Sequence, residues 1–484
     1  MSFPANLKNV HFIGIGGYGM SALALILLQQ GFTVSGSDLQ ESTLTANLAG
    51  KGATIMIGHR EANLGTAELV IYSTAVPSRN PELVEAGYRG LIIWHRSELL
   101  AALFNDAYGI AITGTHGKTT TTAMVALLLE AGGLDPTAVI GGVLPAYGSN
   151  ARLGRSQYLV AEADESDSSF TRYFPKLALV TGLEADHLDH YNNNHAGLIE
   201  AYSTFLANID PSGTALLCAD DPYLGELAIQ PDLQVFYYGL MDREDPQTGP
   251  PDSSRPQKSP GNGPDYYAGN INLKKRGSTF DFYYRDSLRA AAVNLNVPGL
   301  HNVCNATGAL ALADRLGLDP AACSGVLSDF TGVGRRFEVI GTVNDITVID
   351  DYAHHPTEIR ATIKAARPNC RRLICIFQPH RYTRTAYFFD EFSRAFAEAD
   401  LLLLHSVFSA GEVPIPGITS DILADQIRYY SNIPVFQCDN LYMLEEQVLN
   451  IVRPGDLVIT MGAGDITKIA PDILARLQEK ESRA

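Results

Sequence analysis

The sequence is poor in features that define several other classes of protein. Its 484 residues include one tryptophan and six cysteines, at positions 218, 304, 323, 370, 375 and 438. No two of these cysteines form a C-x-x-C pair. This scatter argues against a metal cage or a disulfide framework and fits a reducing cytoplasm.

Positive charge and long apolar runs are also scarce. The chain has 36 Lys and Arg residues against 53 Asp and Glu, a net charge of -17, and no basic tract. We therefore expect no nucleic-acid partner. No apolar run approaches the roughly 18 residues that cross a membrane, and the N-terminal residues show no cleavage pattern of a signal peptide. We expect a cytoplasmic protein without membrane insertion, either a monomer or a weak dimer.

A glycine-rich turn follows a short apolar strand near the start of the chain. The pattern G-x-G-x-x-G falls at Gly14, Gly16 and Gly19, before a helix predicted over 20–30, and Asp38 lies 19 residues after Gly19. This spacing is typical of a fold that holds a diphosphate on a helix N-terminus and a ribose on the acid. The diphosphate of NAD and that of a UDP-sugar both fit it.

Later strands of this region also end in polar residues. Ser73 and Thr74 follow one predicted strand, and Arg96 follows the segment that contains Trp94. In a parallel sheet the carboxyl ends of the strands form the ligand edge. Ser73, Thr74 and Arg96 are therefore candidates for binding the same ligand. The alternative for Ser73 and Thr74 is that they are ordinary loop hydroxyls without a ligand.

A second glycine turn spans Ala111-Ile-Thr-Gly-Thr-His-Gly-Lys-Thr-Thr-Thr-Thr122. It joins a strand predicted over 109–113 to a helix predicted over 119–131. Its glycines allow a tight bend, the helix N-terminus and Lys118 supply positive charge, and Thr119 offers a hydroxyl to Mg²⁺. The pattern is the shorter form G-x-x-G-K-T, because Ile112 stands where the usual phosphate loop begins with glycine. We interpret this segment as a phosphate loop.

Two further strand ends are predicted beside the phosphate loop. One strand ends at Glu162, and another runs from 177 to 182 and leads to His187. Mg²⁺ prefers oxygen ligands, so Glu162 suits it, whereas His187 is either a ligand or a hydrogen-bonding neighbour of one. The many acids nearby would repel one another unless cations lie between them.

The end of this region contains an insertion and a polar helix start. Residues 242–265 include six prolines and no apolar periodicity, which predicts a flexible surface insertion. Strands are predicted over 277–284 and 291–297. His301, Asn302 and Asn305 then share about one turn at the start of an alanine-rich helix and could bind an adenine or ribose edge.

Alternating strands and helices return in the last third of the chain. An arginine pair, Arg335-Arg336, precedes a strand that ends in Asp350-Asp-Tyr-Ala-His-His355. The next strand, which begins at Leu373, ends in His380, Arg381 and Arg384. These charged strand ends predict an anion-binding edge on a further α/β sheet.

The pattern as a whole predicts an α/β protein of three domains. The expected boundaries are residues 1–106 with a Rossmann-like fold, 107–330 with a phosphate-loop nucleotide-binding fold, and 331–484 with a second Rossmann-like fold.

These collinear motifs resemble those of the Mur ligase family, the ATP-dependent amide-forming enzymes of peptidoglycan assembly. The matching stretches are Gly14–Leu25 with Gly36–Asp38, Gly114–Thr120, Glu162–Asp167, Glu184–His187, His301-Asn302, Arg335–Phe337, Asp350–Glu358, Phe377–Thr385 and Met461–Asp465. Within the family they are most similar to members that join L-alanine to UDP-N-acetylmuramate through an acyl phosphate. The resemblance implies ATP and Mg²⁺ as cofactors, and UDP-N-acetylmuramate and L-alanine as partners.

The resemblance also implies a role for each matching residue. The UDP-sugar would be bound by Gly16, Gly17, Tyr18, Gly19, Met20 and Asp38. ATP would be bound by Gly114, Thr115, His116, Gly117, Lys118, Thr119, Thr120, His301, Asn302 and Asn305. Thr119, Glu162 and His187 would bind the metal. Lys118, Arg336, Asp351 and His354 would act in catalysis, and Tyr352, His354, Arg381 and Arg384 would contact the muramyl carboxylate and the alanine.

Three other functions stay open. A related ligase attaches a recycled peptide to UDP-N-acetylmuramate. An NAD-dependent oxidoreductase would use the first glycine turn but would leave the phosphate loop unexplained. A nucleotide-binding regulator would use both turns without catalysis.

Overall fold

The computed structural model describes residues 7–166, 168–184, 186, 191, 194–241 and 263–483. Its strands form three sheets. The chain forms two compact units. One contains Met1–Ile271, Phe280–Val293 and Cys304–Asp329, and the other contains Asn272–Thr279, Asn294–Val303 and Phe330–Ala484. Among the described residues, no helix is long and apolar enough to cross a bilayer.

The first sheet has five parallel strands. They are β1 (Asn9–Ile13), β2 (Thr33–Asp38), β3 (Thr54–Ile57), β4 (Leu69–Tyr72) and β5 (Ile92–His95). The helices between and after them are α1 (Tyr18–Gln29), α2 (Thr43–Gly50), α3 (Pro81–Tyr88) and α4 (Arg96–Asn105). The strand order β3-β2-β1-β4-β5 reverses at β1, and ligands bind at such a reversal in open α/β sheets.

A buried carboxylate network stabilises this sheet. Glu82 on α3 is fully buried, and its carboxylate accepts hydrogen bonds from the Ser37 hydroxyl at 2.5 Å, the Asn63 amide at 2.5 Å and the Arg60 backbone N–H at 3.1 Å, while His11 Nε2 lies at 3.2 Å. Burial alone would raise the pKa of Glu82, but the hydrogen bonds from His11, Ser37 and Asn63 lower it to about 2. Glu82 therefore stays charged in the folded protein.

The second sheet has ten strands. They are β6 (Tyr108–Thr113), β7 (Thr137–Leu144), β8 (Ser149–Arg152), β9 (Tyr158–Glu162), β10 (Leu177–Val180), β11 (Thr214–Cys218), β12 (Gln234–Leu240), β13 (Tyr266–Leu273), β14 (Ser278–Tyr284) and β15 (Ser287–Leu295). Its helices are α5 (Lys118–Ala131), α6 (His195–Ala207), α7 (Leu300–Arg315) and α8 (Pro320–Cys323). Strand β6 lies between β9 and β10 and is parallel to both.

The third sheet has six strands, in the order β16-β17-β21-β18-β19-β20. They are β16 (Glu338–Val343), β17 (Ile346–Asp351), β18 (Arg372–Phe377), β19 (Leu401–Leu404), β20 (Val435–Gln437) and β21 (Asp456–Met461). Its helices are α9 (Pro356–Ala366), α10 (Tyr382–Tyr387), α11 (Phe389–Arg394), α12 (Ser420–Ser431), α13 (Leu441–Ile451) and α14 (Ile469–Arg483). Within this sheet β16 pairs antiparallel with β17, and the other four pairs of neighbouring strands are parallel.

Alternating strand residues form two separate cores on the faces of the third sheet. Cys375 and Phe377 pack in one core with Phe392 of α11. Ile374 and Ile376 pack in the other. This period of two follows from the pleat of a strand, so both faces of the sheet are covered and its charged groups lie at the strand ends.

The predicted fold class is confirmed: an α/β protein with three domains of the expected types. The phosphate-loop helix begins at Lys118, one residue before the predicted start, and β15 begins at residue 287 rather than 291. Of the predicted insertion 242–265, residues 242–262 lie outside the described residues. The exact domain boundaries stay predictions.

Candidate active site

The phosphate loop joins β6 to α5 near the middle of the second sheet. Gly114 (φ +128°) and Gly117 (φ +81°) adopt left-handed conformations, which side chains disfavour. A Cβ atom would lie 2.1 Å from Thr181 Oγ1 at Gly114 and 2.6 Å from Asn305 Oδ1 at Gly117. Both glycines are therefore required by conformation and by packing. They lead into the N-terminus of α5, and a helix N-terminus favours a bound anion.

Lys118 is held by an acid at the same strand edge. Its ammonium nitrogen lies 2.7 Å and 2.9 Å from the two carboxylate oxygens of Glu165 and 2.7 Å from the Gly114 carbonyl oxygen. Burial alone would lower the pKa of Lys118, but Glu165, Asp164 and Glu162 raise it above its usual range. Lys118 is therefore a positive charge fixed at the loop.

Thr119 and Glu162 form an oxygen-lined cradle beside Lys118. The Thr119 hydroxyl donates to Glu162 Oε2 at 2.9 Å, and the same oxygen accepts the Gly141 N–H at 3.0 Å. A Cβ at Gly141 would lie 2.3 Å from Glu162 Oε2 and 2.8 Å from Thr119 Oγ1. Glycine at position 141 therefore allows its backbone to approach both oxygens, which any side chain would crowd. His187, the third predicted ligand, lies outside the described residues.

The loop is braced by the end of β10. The Glu184 N–H donates to Thr115 Oγ1 at 2.8 Å, and the Thr181 hydroxyl donates to the His116 carbonyl oxygen at 2.5 Å. His116 Nε2 lies 3.4 Å from Glu184 Oε2. Thr120, on the first turn of α5, is buried. These contacts hold the predicted ATP-binding residues of the loop in one arrangement.

The predicted UDP-sugar residues meet at the carboxyl ends of the first sheet. The Gly16 N–H donates to Asp38 Oδ2 at 2.8 Å, so Asp38 caps the first glycine turn. A Cβ at Gly19 would lie 3.1 Å from an Arg96 guanidinium nitrogen. Arg96 therefore lies over the N-terminus of α1. Of the remaining predicted residues, Gly17 caps the N-terminus of α1, Tyr18 and Met20 lie in its first turn, and Ser73 and Thr74 follow β4.

An ion pair links the two glycine turns. Arg96, beside Gly19, lies 3.8 Å from a carboxylate oxygen of Asp164, which follows β9 and Glu162. The Asn150 side chain on β8 also donates to the Tyr18 carbonyl oxygen at the start of α1. These contacts connect the start of α1 with β8 and with the segment that follows β9, all within the first compact unit.

In the second unit, Tyr352 lies between two arginines. The guanidinium carbons of Arg335 and Arg336 lie 4.9 Å and 5.0 Å from the centre of its ring. Arg335 also donates to Asp350 at 3.0 Å and to the Gly462 carbonyl oxygen at 2.6 Å. Arg336 lies 3.6 Å from Glu358. Arg335 therefore braces the strand ends.

Asp351 is a buried group that orders the chain around it. Its carboxylate accepts the Phe337 N–H at 2.9 Å, the Ala353 N–H at 2.7 Å and the Thr362 hydroxyl at 3.3 Å. Burial raises its pKa to about 6 against the opposing effect of Arg336. In this structure Asp351 positions the segment that carries Tyr352 and the arginine pair.

The remaining predicted residues of the third domain lie at neighbouring strand ends. His354 Nδ1 lies 2.9 Å from the Tyr352 carbonyl oxygen and 3.4 Å from Glu358 Oε2. The rings of His354 and His380 are 6.0 Å apart. Arg384 is buried with a guanidinium nitrogen 3.4 Å from His380 Nδ1, whereas Arg381 is partly exposed.

Residues 301, 302 and 305 begin α7 as predicted, but they divide between the compact units. His301 is exposed and Asn302 is buried, with its amide donating to the Pro298 carbonyl oxygen at 2.7 Å, and both lie in the second unit. Asn305 belongs to the first unit, beside Gly117.

Glu165 and Arg335 are two of the contact residues to which the sequence assigned no individual role. Glu165 lies 47 positions from its partner Lys118, and Arg335 lies 127 positions from the Gly462 carbonyl oxygen. Both stand inside recognised motifs, so the motif could have directed attention to them. Their partners follow only from the fold.

Three matches to known families cover most of the chain. Residues 9–108 match the catalytic domain of the Mur ligase family, residues 112–313 the Mur ligase middle domain, and residues 335–464 the glutamate ligase domain of Mur ligases. The chain belongs to the Mur ligase family.

Individual relatives match over nearly the full length. The UDP-N-acetylmuramate–L-alanine ligase of Pelotomaculum thermopropionicum is 44% identical over 475 residues, covering 98% of each chain. The crystal structure of the UDP-N-acetylmuramate–alanine ligase MurC of Thermotoga maritima is similar with a TM-score of 0.79 and 29% identity, over 98% of this chain and 100% of that one. A murein peptide ligase from Psychrobacter arcticus is similar with a TM-score of 0.69 and 26% identity, over 97% and 98%.

Proposed function

We propose that this chain is an ATP-dependent ligase that joins L-alanine to the carboxylate of UDP-N-acetylmuramate. The product would be UDP-N-acetylmuramoyl-L-alanine, with ADP and phosphate, in peptidoglycan synthesis. Full-length relatives that are 41–45% identical carry this activity in their names. We further propose that it works in the cytoplasm as a monomer or weak dimer.

The observation that carries the proposal is the pairing of two anion-binding turns at one site. Lys118 and the N-terminus of α5 suit the phosphates of ATP. Gly16 and Arg96 at the N-terminus of α1 suit the diphosphate of a UDP-sugar. The Arg96–Asp164 pair joins the two. A dehydrogenase would need only the first turn.

The cradle beside Lys118 fits Mg²⁺. Its donors are the oxygens of Thr119 and Glu162, the ligand type that Mg²⁺ prefers, and a Cβ at Gly141 would crowd both of them. When bound, Mg²⁺ neutralises charge on the phosphates. We propose Thr119 and Glu162 as its protein ligands, with His187 as a third.

The reaction needs an activated carboxylate, because a free carboxylate does not condense with an amine in water. The muramyl carboxylate attacks the γ-phosphorus of ATP, which gives an acyl phosphate and ADP. The amine of L-alanine then attacks the acyl carbon, and phosphate leaves. Lys118 orients the transferred group and stabilises its charge, the main contributions in phosphoryl transfer.

The third domain supplies the groups proposed to bind the acceptor. Arg381 and Arg384 carry positive charge for carboxylates, and Tyr352 and His354 lie at the adjacent strand end. His354 is the proposed proton acceptor for the alanine amine, which must lose a proton to attack. Arg336 is proposed to contact the nucleotide. Asp351 is proposed to position the chain segment that carries Arg336.

The nucleotide would be bounded by residues of α7 and the phosphate loop. We propose that His301, Asn302 and Asn305 contact its adenosine, while Gly114–Thr120 surround its phosphates. The position of Asn305 against Gly117 supports this proposal.

ADP release tests the proposal. Purified protein is supplied with Mg²⁺, ATP and UDP-N-acetylmuramate, with and without L-alanine. Sustained ADP release that requires both substrates supports the ligase. Release that requires the recycled tripeptide instead of alanine would identify the peptide-recycling ligase; a murein peptide ligase is 26% identical to this chain. No release with any acceptor would favour a nucleotide-binding regulator.

A further inference from the structure

Two cysteines and an aspartate converge on the second sheet, beside the phosphate loop. Cys218 is the last residue of β11, Asp220 follows it, and Cys304 lies in the first turns of α7. The two sulfur atoms are 3.6 Å apart, and Cys304 Sγ lies 3.7 Å from Asp220 Oδ2. All three donor atoms lie within 4.8 Å of one another.

These separations match a tetrahedral metal site. With metal–sulfur bonds of about 2.3 Å and metal–oxygen bonds of about 2.0 Å, tetrahedral angles place two sulfurs about 3.8 Å apart and a sulfur and an oxygen about 3.5 Å apart. The observed distances, 3.6 Å and 3.7 Å, lie close to both values. Two of the three separations therefore match those between the ligands of one tetrahedral metal ion, and the third lies within 4.8 Å.

The carboxylate is oriented by the backbone around it. Asp220 Oδ2 accepts the Leu240 N–H at 3.1 Å, and the Ala219 N–H donates to the Tyr238 carbonyl oxygen at 2.7 Å. A Cβ at Gly239 would lie 3.1 Å from Asp220 Oδ2, so the glycine permits the close approach. Outer hydrogen bonds of this kind fix the ligands of metal sites.

The geometry points to a binding site for one thiophilic divalent cation, Zn²⁺ or a close analogue, formed by Cys218, Asp220 and Cys304. Two thiolates and one carboxylate supply three ligands, and water completes the tetrahedron. Binding releases the two thiol protons to solvent and involves no oxidation. The sequence contains no closely spaced cysteine pair and therefore argued against a metal cage. Residues 218 and 304 are 86 positions apart, so only the fold brings them together.

The site would stabilise the neighbourhood of the phosphate loop. Cys304 precedes Asn305, whose side chain lies against Gly117. A metal bridging Cys218 and Cys304 would tie the end of β11 to the start of α7. We expect bound metal to raise the unfolding temperature of this unit whether or not the protein is a ligase, so this inference does not rest on the proposed function.

Cobalt substitution of the full chain tests the inference. The reduced protein is freed of metal by a chelator and titrated with Co²⁺, whose thiolate complexes absorb in the near ultraviolet. We expect the band to saturate at one Co²⁺ per chain and to be displaced by one Zn²⁺. Magnesium ligands at the phosphate loop contain no thiolate, so they cannot produce the band.

Three variants complete the test. Cys304→Ala should abolish the band, and Asp220→Asn should weaken Co²⁺ affinity about 10-fold or more. Cys370 is a half-buried cysteine in the other unit, so Cys370→Ala should change neither the band nor the affinity. Circular dichroism checks that each variant is folded. A wild type without the band, or with a band that survives in Cys304→Ala, would overturn the inference. A mass lower by two hydrogens in the unreduced protein, with Cys218 and Cys304 joined in one peptide, would replace it with a disulfide.

Discussion

Lys118 Nζ lies 2.7 Å from a carboxylate oxygen of Glu165, and the side chains are only 12% and 2% exposed. The Gly114 carbonyl oxygen accepts from the same ammonium group at 2.7 Å. An ammonium group has three protons, and these acceptors can use all of them. A phosphate bound at this loop, as proposed, would share or replace one of these contacts, and the Glu165 pair holds the charged ammonium group in place in this structure.

We expect Lys118→Ala to lower the rate of ADP release by roughly 100-fold or more, because a fixed charge that stabilises the transferred group is lost. Circular dichroism should show an intact fold. The matched control is Lys176→Ala, which removes a lysine from a partly exposed ion pair with Asp210 at the start of the neighbouring strand. Normal turnover by Lys118→Ala would contradict the phosphate-loop assignment.

Gly141→Ala tests the magnesium cradle without removing a ligand. The added Cβ would lie 2.3 Å from Glu162 Oε2, so the carboxylate must move. We expect the Mg²⁺ concentration for half-maximal rate to rise about 10-fold or more. The KM for the UDP-sugar should change little. Gly325→Ala is the control, because a Cβ there meets nothing within 4 Å. An unchanged Mg²⁺ requirement would place the metal elsewhere.

Arg96→Ala tests the UDP-sugar site. Loss of a charged contact to the diphosphate is worth about 1.5–3 kcal/mol, which corresponds to a KM for UDP-N-acetylmuramate raised by roughly 10- to 100-fold. The KM for ATP should change little. Arg89→Ala, in an exposed ion pair with Glu85, should leave both constants unchanged. Equal effects of Arg96→Ala on both substrates would show a structural role through Asp164 instead.

Local sequence patterns predicted the elements that carry the site better than the contacts between them. The helix after the phosphate loop ends at Ala131 as predicted, and the strand ends meet at the predicted edges. Glycine turns, strand periodicity and helix starts are local, so they can be read from neighbouring residues. The Lys118–Glu165 pair and the Cys218–Cys304 contact join distant segments, so no local pattern contains them.

The sequence also could not predict which charged residues at the strand ends are buried. Arg384 resembles a substrate-binding arginine in its motif, yet it is buried against His380. The resemblance implies a catalytic role for Asp351, and in this structure its oxygens accept hydrogen bonds from Phe337 and Ala353. Charged residues at a strand end can face a ligand or order the neighbouring chain, and only packing distinguishes the two.

Glu82 allows a test of stability with a control on the same helix. Glu82→Ala removes the acceptor of four buried or partly buried donors, and we expect it to lower the free energy of unfolding of the first domain by roughly 2–4 kcal/mol. Glu85→Ala, three residues away, should cost less than about 0.5 kcal/mol because its ion pair is exposed. Urea unfolding at pH 7 measures both. Equal losses would contradict the network.

The same carboxylate predicts a pH dependence. The pKa of Glu82 is lowered from its usual value to about 2 in the folded protein, so the folded state binds its proton less readily than the unfolded state. Its stabilisation is complete above about pH 4.5 and is lost as the pH falls towards 2, by roughly 3 kcal/mol in total. Urea unfolding between pH 6 and pH 3 should show a steeper loss in the wild type than in Glu82→Ala. Parallel curves would show that Glu82 does not titrate in this range.

The most direct test of the proposed reaction follows one oxygen atom. UDP-N-acetylmuramate labelled with ¹⁸O in its carboxylate is incubated with ATP, Mg²⁺ and an equal mixture of L-alanine and the recycled tripeptide, and the nucleotide product and the phosphate are weighed by mass spectrometry. We predict a product heavier by one alanyl residue and phosphate that carries one ¹⁸O, as an acyl phosphate requires. A tripeptide product, or phosphate without the label, would contradict the account.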